Sequence, residues 1–137
     1  MSDNVPAGRK SDGTKCRVLI IDDSIFVVKQ IKKILEAEDF EVIDIAEDGQ
    51  VGIEKYKQHY PNVDIVTMDI TMPKMDGISS LEKIIEFDNN AKVIIVSALG
   101  KEDLVKKALL SGAKNYIVKP LDRNKVIERI ISVLHGV

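Results

Sequence analysis

Short apolar runs alternate along this chain with segments in which apolar residues recur at every third or fourth position. The runs are rich in Val and Ile, which favour pleated strands, and they predict strands over 17–21, 41–46, 63–68, 93–96 and 115–118. The helical period predicts five helices. The first begins after Ser24, the second runs from Asp48 to Gln58, and the third opens at Asp76-Gly77. The fourth ends at Ser111-Gly112, and the fifth has an apolar stripe from Val126 to Leu134.

Regular alternation of strands and helices is typical of an α/β fold with a parallel sheet that helices cover on both faces. Right-handed crossover connections place the carboxyl end of every strand at one edge of such a sheet. Ligands of open α/β sheets bind at that edge. The residues that follow each strand are therefore the candidates for a functional site.

Length and charge limit the possible functions. The 137 residues suffice for one domain, with 45% hydrophobic and 31% charged residues. A formal net charge of −2 argues against nucleic-acid binding as the main activity. The polar, Gly- and Ser-containing stretch 1–15 has little to bury and is predicted to be a flexible N-terminal tail, with the domain over 16–137.

Cys16 is the single cysteine, so an intrachain disulfide is impossible, and it is predicted to be a small buried hydrophobe. No apolar run reaches the ~18 residues of a membrane span, and the polar N-terminus lacks a signal-peptide pattern. These features predict a cytoplasmic protein with no membrane association. Because the chain ends soon after the fifth helix, no room is expected for a separate output domain.

Acidic, hydroxyl and amine side chains follow the predicted strands. The first strand is followed by Asp22 and Asp23, the third by Asp69, the fourth by Ser97 and the fifth by Lys119. Three carboxylates in one crevice repel one another, and one lysine does not offset them. An oxygen-only ligand set suits Mg²⁺, and an Asp beside Mg²⁺ and Lys can act as a nucleophile toward phosphorus. The constellation predicts acyl-phosphate chemistry.

These residues occur within longer motifs that resemble the response-regulator receiver domains. The resemblance covers Cys16 to about Leu134 and implies a flavodoxin-like, doubly wound, five-stranded parallel sheet in the order 2-1-3-4-5 with five helices. The motifs are Ile21-Asp22-Asp23-Ser24, the stretch Met68-Asp69-Ile70-Thr71-Met72-Pro73-Lys74-Met75-Asp76-Gly77, Val96-Ser97-Ala98 and Val118-Lys119-Pro120.

The resemblance also implies roles for individual residues. Asp69 would accept a phosphoryl group from a histidine kinase. Asp23 would bind Mg²⁺ directly and Asp22 largely through water, with the backbone carbonyl of Thr71 as a further ligand. Lys119 would pair with the phosphoryl group, and the peptide bond to Pro120 would be cis.

Two further residues would form the switch. Ser97 would supply a hydroxyl that moves toward the phosphoryl group, and Tyr116 an aromatic ring that turns inward when Ser97 vacates its space. The surface formed by the fourth helix, fifth strand and fifth helix would then change, and a partner would recognise it. The resemblance further implies that the side chains two residues beyond the phosphoacceptor and the switch hydroxyl influence how fast water attacks the acyl phosphate. Here they are Thr71 and Leu99, and an apolar Leu99 cannot orient a water molecule, which would favour a longer-lived phosphoryl state.

Three functions compete. The first is a monomeric stand-alone receiver of the chemotaxis type, whose target is the flagellar motor switch. The second is a phosphorelay intermediate or phosphate sink that exchanges phosphate with a histidine phosphotransfer protein. The third, a haloacid-dehalogenase-type phosphatase, requires a general acid two residues after the nucleophile, where this chain has Thr71. His59 and His135 have no partners at catalytic or ligand spacing and are predicted to be surface residues.

Overall fold

The computed structural model describes residues 6–72 and 76–136. No helix in these ranges is both long enough and apolar enough to cross a membrane. Strands and helices alternate in the order β1 (Arg17–Ile21), α1 (Ile25–Glu36), β2 (Glu41–Ala46), α2 (Gly49–His59), β3 (Ile65–Asp69), α3 (Gly77–Phe87), β4 (Val93–Ser97), α4 (Glu102–Leu110), β5 (Asn115–Val118) and α5 (Arg123–His135).

Side-chain caps fix where several helices begin. The Ser24 hydroxyl accepts a hydrogen bond from the backbone N–H of Val27, which confirms the predicted start of α1. Asp76 caps α3 by accepting from the N–H of Ser79. Asp48, where the second helix was predicted to begin, is its N-cap, and it accepts a hydrogen bond from the N–H of Val51. Its carboxylate satisfies an amide that the first turn leaves without an intrahelical partner.

The sheet has the order β2-β1-β3-β4-β5, and every adjacent pair of strands is parallel. This confirms the predicted doubly wound fold. In the strand register Ile21 pairs with Met68, so the residues that follow β1 lie beside Asp69 at the end of β3. Ser97, the last residue of β4, pairs with Val118. The carboxyl ends of four strands thus meet at one edge.

Apolar side chains pack on both faces of the sheet. Along β1, Leu19 and Ile21 join the core under α2, α3 and α4, while Val18 and Ile20 join the core under α1 and α5. This alternation follows from the two-residue period of a strand. Cys16 is buried in the second core, as predicted, and burial raises the pKa of its thiol to about 12.

Residues 6–15 lie against the turn between α1 and β2. The N–H of Gly8 donates to the carbonyl of Glu38 at 2.7 Å, and the N–H of Cys16 donates to the carbonyl of Gly8 at 2.7 Å. Arg9 forms an ion pair with Asp39 at 3.0 Å. A Cβ at position 8 would lie 2.3 Å from the backbone nitrogen of Phe40, so this close approach requires glycine. The division of the chain at residue 16 stays a prediction.

A small charged cluster joins α2 to the edge strand β2. The Lys55 ammonium donates to the Asp44 carboxylate at 2.8 Å and to the Ile45 carbonyl at 2.6 Å. The imidazole of His59 lies 2.9 Å from the other Asp44 oxygen. His59 is therefore half-buried and partnered, and the prediction that it is a surface residue was wrong because its partner comes from a neighbouring strand. His135 is exposed, as predicted.

This cluster predicts a pH-dependent contribution to stability. Burial alone would raise the pKa of Asp44, but the hydrogen bonds from Lys55 and His59 outweigh it and lower the pKa to about 2. A carboxyl with a lowered pKa stabilises the fold above about pH 4, and this contribution disappears as the pH falls toward 2. Asp44→Asn is expected to cost roughly 1–2 kcal/mol at pH 7 and progressively less below pH 4.

Urea unfolding of both proteins at several pH values measures this difference. Glu36→Gln, which removes an exposed carboxylate from α1, is the control and is expected to change stability little. A cost of Asp44→Asn that stayed constant between pH 7 and pH 2.5 would contradict the prediction.

Candidate functional site

Three carboxylates meet at the carboxyl edge of the sheet. Asp22 and Asp23 follow β1, and Asp69 is the last residue of β3. One oxygen from each lies within 4.8 Å of the other two, and within residues 6–72 and 76–136 this is the one acidic group with such spacing. Asp22 and Asp69 are 2% and 4% exposed, whereas Asp23 is open to solvent. The predicted convergence of these residues is thus present.

Lys119 brings a positive charge to the same place. Its ammonium lies 4.0 Å from one oxygen of Asp22 and 3.9 Å from one oxygen of Asp69. These distances allow charge attraction but exceed hydrogen-bond length. The N–H of Lys119 donates to the carbonyl of Ser97 at 2.7 Å, which ties the end of β5 to the end of β4. The peptide bond from Lys119 to Pro120 is cis, as predicted.

The crowding of acids makes ionisation of the buried members unfavourable. Burial raises the pKa of Asp69 to about 6, and the negative charge of Asp22 adds to the rise, while the N–H of Thr71 opposes it. Burial likewise raises the pKa of Asp22, against a hydrogen bond from the N–H of Ser24 and the charge of Lys119. One lysine therefore leaves excess negative charge in this pocket.

The donor set fits a hard divalent cation. All of the ligand atoms are carboxylate oxygens, which Mg²⁺ and Ca²⁺ prefer, and no soft sulfur donor belongs to the group. One oxygen of Asp22 is buried and has no hydrogen-bond partner among the residues that the structure describes. This is the oxygen that lies 4.0 Å from the Lys119 ammonium, which supplies charge attraction but no hydrogen bond. A bound cation would coordinate this oxygen and offset the negative charge that one lysine leaves.

Ser97 and Thr71 lie next to the carboxylates. Ser97 is fully buried at the end of β4, and its hydroxyl donates to the carbonyl of Ala98 at 3.0 Å. Thr71 is exposed, and its N–H donates to the carboxylate of Asp69 at 3.1 Å. That bond holds the loop after β3 against Asp69. The Ser97 hydroxyl is thus engaged within its own loop.

Tyr116 lies in β5, which β4 separates from the strand of Asp69. Its half-buried ring faces the guanidinium of Arg129 from α5, with 5.0 Å between the guanidinium carbon and the ring centre. Sequence reasoning missed Arg129. The 13 positions between Tyr116 and Arg129 match neither a strand nor a helix period. The signal that could have found Arg129 is that α5 follows β5 in the chain and packs beside it. Leu99, in the loop after β4, is 72% exposed.

Part of the longest motif, Pro73, Lys74 and Met75, lies outside the described residues. On its far side the motif resumes at Asp76, the α3 cap. Gly77 then lies so close to the strand end that an added Cβ would be 2.5 Å from the carbonyl oxygen of Asp69. The start of α3 is therefore packed directly against the backbone of the central acid.

Comparisons with known proteins agree with this geometry. Residues 18–131 match the model of the response regulator receiver domain. The chain is 69% identical over 134 residues to the chemotaxis protein CheY of Treponema pallidum, which covers 98% of this chain and 93% of that protein. It is 47% identical to CheY of Bacillus subtilis, over 87% of this chain and 98% of that one.

A solved structure is equally similar in shape. CheY from Borrelia burgdorferi, crystallised in a complex with CheX, BeF3 and Mg²⁺, has 59% sequence identity and a TM-score of 0.92. The alignment covers 95% of this chain and 98% of that one. The chain belongs to the response regulator receiver domain family, a family of signalling domains. Within it the chain is of the CheY type, the response regulators of chemotaxis.

Proposed function

We propose that this protein is a phosphorylation-activated switch of a two-component system, with Asp69 as the phosphoacceptor and a histidine kinase as the donor. The observation that carries the proposal is the group of three carboxylates within 4.8 Å of one another, with Lys119 about 4 Å from two of them. A carboxylate oxygen of Asp69 would attack phosphorus as the bond to the kinase imidazole breaks. An acyl phosphate forms, and neutral imidazole leaves after taking up a proton.

The other site residues would stabilise the charge of the transferred group. Asp22, Asp23, Asp69 and the backbone carbonyl of Thr71 would hold Mg²⁺, which neutralises phosphoryl oxygens when it is bound. Lys119 would pair with one of these oxygens, since its ammonium already lies between the two buried acids. The Ser97 hydroxyl would exchange the carbonyl of Ala98 for a phosphoryl oxygen, a stronger, charged acceptor.

The output would arise at the α4-β5-α5 face, the surface formed by α4, β5 and α5. Movement of Ser97 would draw the loop after β4 toward Asp69, and Tyr116 would take the space that opens. A protein target would then bind the altered face. For a CheY-type regulator the flagellar motor switch is the proposed target, and a CheX-like protein is a second candidate partner because the Borrelia relative forms a complex with CheX.

Labelling with radioactive acetyl phosphate tests the phosphoacceptor. The wild-type protein is expected to incorporate label when Mg²⁺ is present and to incorporate none when EDTA is added before the acetyl phosphate. Asp69→Asn is expected to incorporate none in either condition. Asp103→Asn removes an exposed carboxylate from the first turn of α4 and is expected to label normally. Retention of labelling in Asp69→Asn would overturn the proposal.

A pull-down from cell extract tests the target. The bait is the protein with and without beryllofluoride, a phosphoryl mimic. Capture of flagellar switch components with the mimic alone is the result expected for a chemotaxis regulator. Capture of a histidine phosphotransfer protein in both states would instead favour a phosphorelay intermediate. Monomeric state and cytoplasmic location stay predictions, and size-exclusion chromatography with and without the mimic tests the first.

A further inference from the structure

The ring of Tyr116 lies between two clefts on the α4-β5-α5 face. One, of about 240 Å³, lies toward α4 and is lined by Ser97, Leu99, Val105 and Tyr116, among others. The other, of about 460 Å³, lies toward α5 and includes Tyr116 and Arg129 in its lining. Tyr116 is half-buried and borders both clefts. Its position is therefore set by its contacts on the two sides.

On the α5 side the contact is specific. The guanidinium carbon of Arg129 lies 5.0 Å from the ring centre, within the range of a cation–π interaction. One guanidinium nitrogen donates to the side-chain oxygen of Asn115 at 3.3 Å, and the same oxygen accepts the N–H of Tyr116 at 2.9 Å. Asn115 thus holds both the Arg129 guanidinium and the backbone of Tyr116, the residue whose ring that guanidinium faces.

On the α4 side the groups are mostly apolar. Val105 is buried there, Leu99 and Val118 line the cleft, and the hydroxyl of Ser97 is occupied by the carbonyl of Ala98. Lys101 and Lys106 also line this cleft, but among the described residues the cation that stacks on the face of the ring is Arg129. A ring that moved toward Ser97 would leave the Arg129 guanidinium and lose the cation–π contact.

We propose that Arg129 is a positioning residue of the switch. By stacking on Tyr116 it stabilises the half-exposed ring position and so opposes activation of the protein. This inference rests on the proposed phosphorylation switch and names one residue that sets its balance. A contact made in one of two conformations shifts the equilibrium between them by its own free energy. An exposed cation–π pair corresponds to a shift of about two- to fivefold.

Reciprocity turns this shift into a measurable affinity. If Arg129 opposes the ring movement that accompanies phosphoryl binding, its removal must tighten phosphoryl binding by the same factor. Loss of positive charge alone would change the phosphoryl affinity in the opposite direction, because removing a cation near the site weakens the binding of an anion. Lys125→Gln is the matched control, since Lys125 is an exposed cation that lines the same α5-side cleft, but the cation found over the ring is Arg129.

The first measurement uses the full chain without metal. The protein has three tyrosines, so 3-fluorotyrosine labelling yields three fluorine resonances, and Tyr116→Phe assigns the one of interest. Arg129→Gln is expected to move that resonance toward its position in the wild-type protein bound to beryllofluoride and Mg²⁺. Lys125→Gln is expected to leave it in place. An unmoved resonance in Arg129→Gln would overturn the inference.

The second measurement is a titration with beryllofluoride in the presence of Mg²⁺. Arg129→Gln is expected to bind about two- to fivefold more tightly than Lys125→Gln. In a Tyr116→Leu background the effect of Arg129→Gln should vanish, because the ring on which it acts is absent. Equal affinities of the two single variants, or an effect that persists without the ring, would refute the role of Arg129 and leave the proposed function intact. Absence of Asp69-dependent binding in the wild-type protein would overturn both.

Discussion

Replacing Asp69 with asparagine is expected to raise the thermal unfolding midpoint of the metal-free protein by about 5–10 °C. The reason is the crowding of three carboxylates beside one lysine. Burial and the charge of Asp22 raise the pKa of Asp69 to about 6, against an ordinary value of 3.8. Holding this group ionised at pH 8 costs the fold about 2–3 kcal/mol, which asparagine avoids.

The pH dependence has a defined sign. A carboxyl whose pKa is raised in the folded state destabilises the fold above that pKa, and the penalty fades as the pH falls toward the unfolded value. The gain from Asp69→Asn should therefore be largest above pH 6 and should shrink toward pH 4. Millimolar Mg²⁺ at pH 8 should stabilise the wild-type protein more than Asp69→Asn and narrow the gap.

Differential scanning calorimetry in EDTA and in Mg²⁺ measures these effects. Asp103→Asn is the control, because it removes an equal charge from an exposed position on α4 and is expected to change the midpoint little. A midpoint for Asp69→Asn that stayed at or below the wild-type value in EDTA at pH 8 would show that the acids do not repel as argued.

Gly77→Ala is expected to destabilise the protein by about 2–3 kcal/mol and to slow acetyl-phosphate labelling about tenfold or more. The new methyl carbon would lie 2.5 Å from the carbonyl oxygen of Asp69 and 2.6 Å from the Cα of Ile70. Both atoms belong to the backbone at the end of β3 and cannot rotate away. Relief of the overlap must displace either α3 or Asp69 itself.

Gly52→Ala is the matched comparison, because Gly52 is also buried near the start of a helix. There the nearest atom is the terminal Cδ1 of Ile21, also at 2.6 Å, and that side chain can change rotamer. We expect Gly52→Ala to cost less and to leave labelling largely intact. Urea unfolding and acetyl-phosphate labelling of both variants test this. Equal losses in the two variants would contradict the argument from backbone overlap.

Local signals predicted most of the fold. The cap at Ser24, the turn at Asp76-Gly77 and the left-handed glycine at Gly112 depend on residues within one helical turn, and the structure has all three. The strands were placed to within two residues because Val and Ile runs are short and bounded by polar residues. The prediction for His59 was wrong, because its partner Asp44 lies in another element, β2.

The chemical types at the candidate site were also readable from the chain, because parallel topology requires that strand ends share an edge. The resemblance to receiver domains supplied the roles, and those roles remain proposals. Neither source predicted the distances. That Lys119 lies near 4 Å from two acids, and that an oxygen of Asp22 is left without a partner among the described residues, depends on how the sheet twists and how the loops pack.

The sequence by itself determined the alternation of strands and helices, the apolar faces that the sheet buries, and the set of acidic, hydroxyl and amine groups at its carboxyl edge. These properties are local, or follow from the handedness of crossovers. The tertiary structure alone decided the stack of Arg129 on Tyr116, the bonding of His59 to Asp44 and the contact of residues 6–15 with the turn after α1. Such contacts join side chains of different elements, and no short-range period encodes which side chains will meet when helices pack on a twisted sheet.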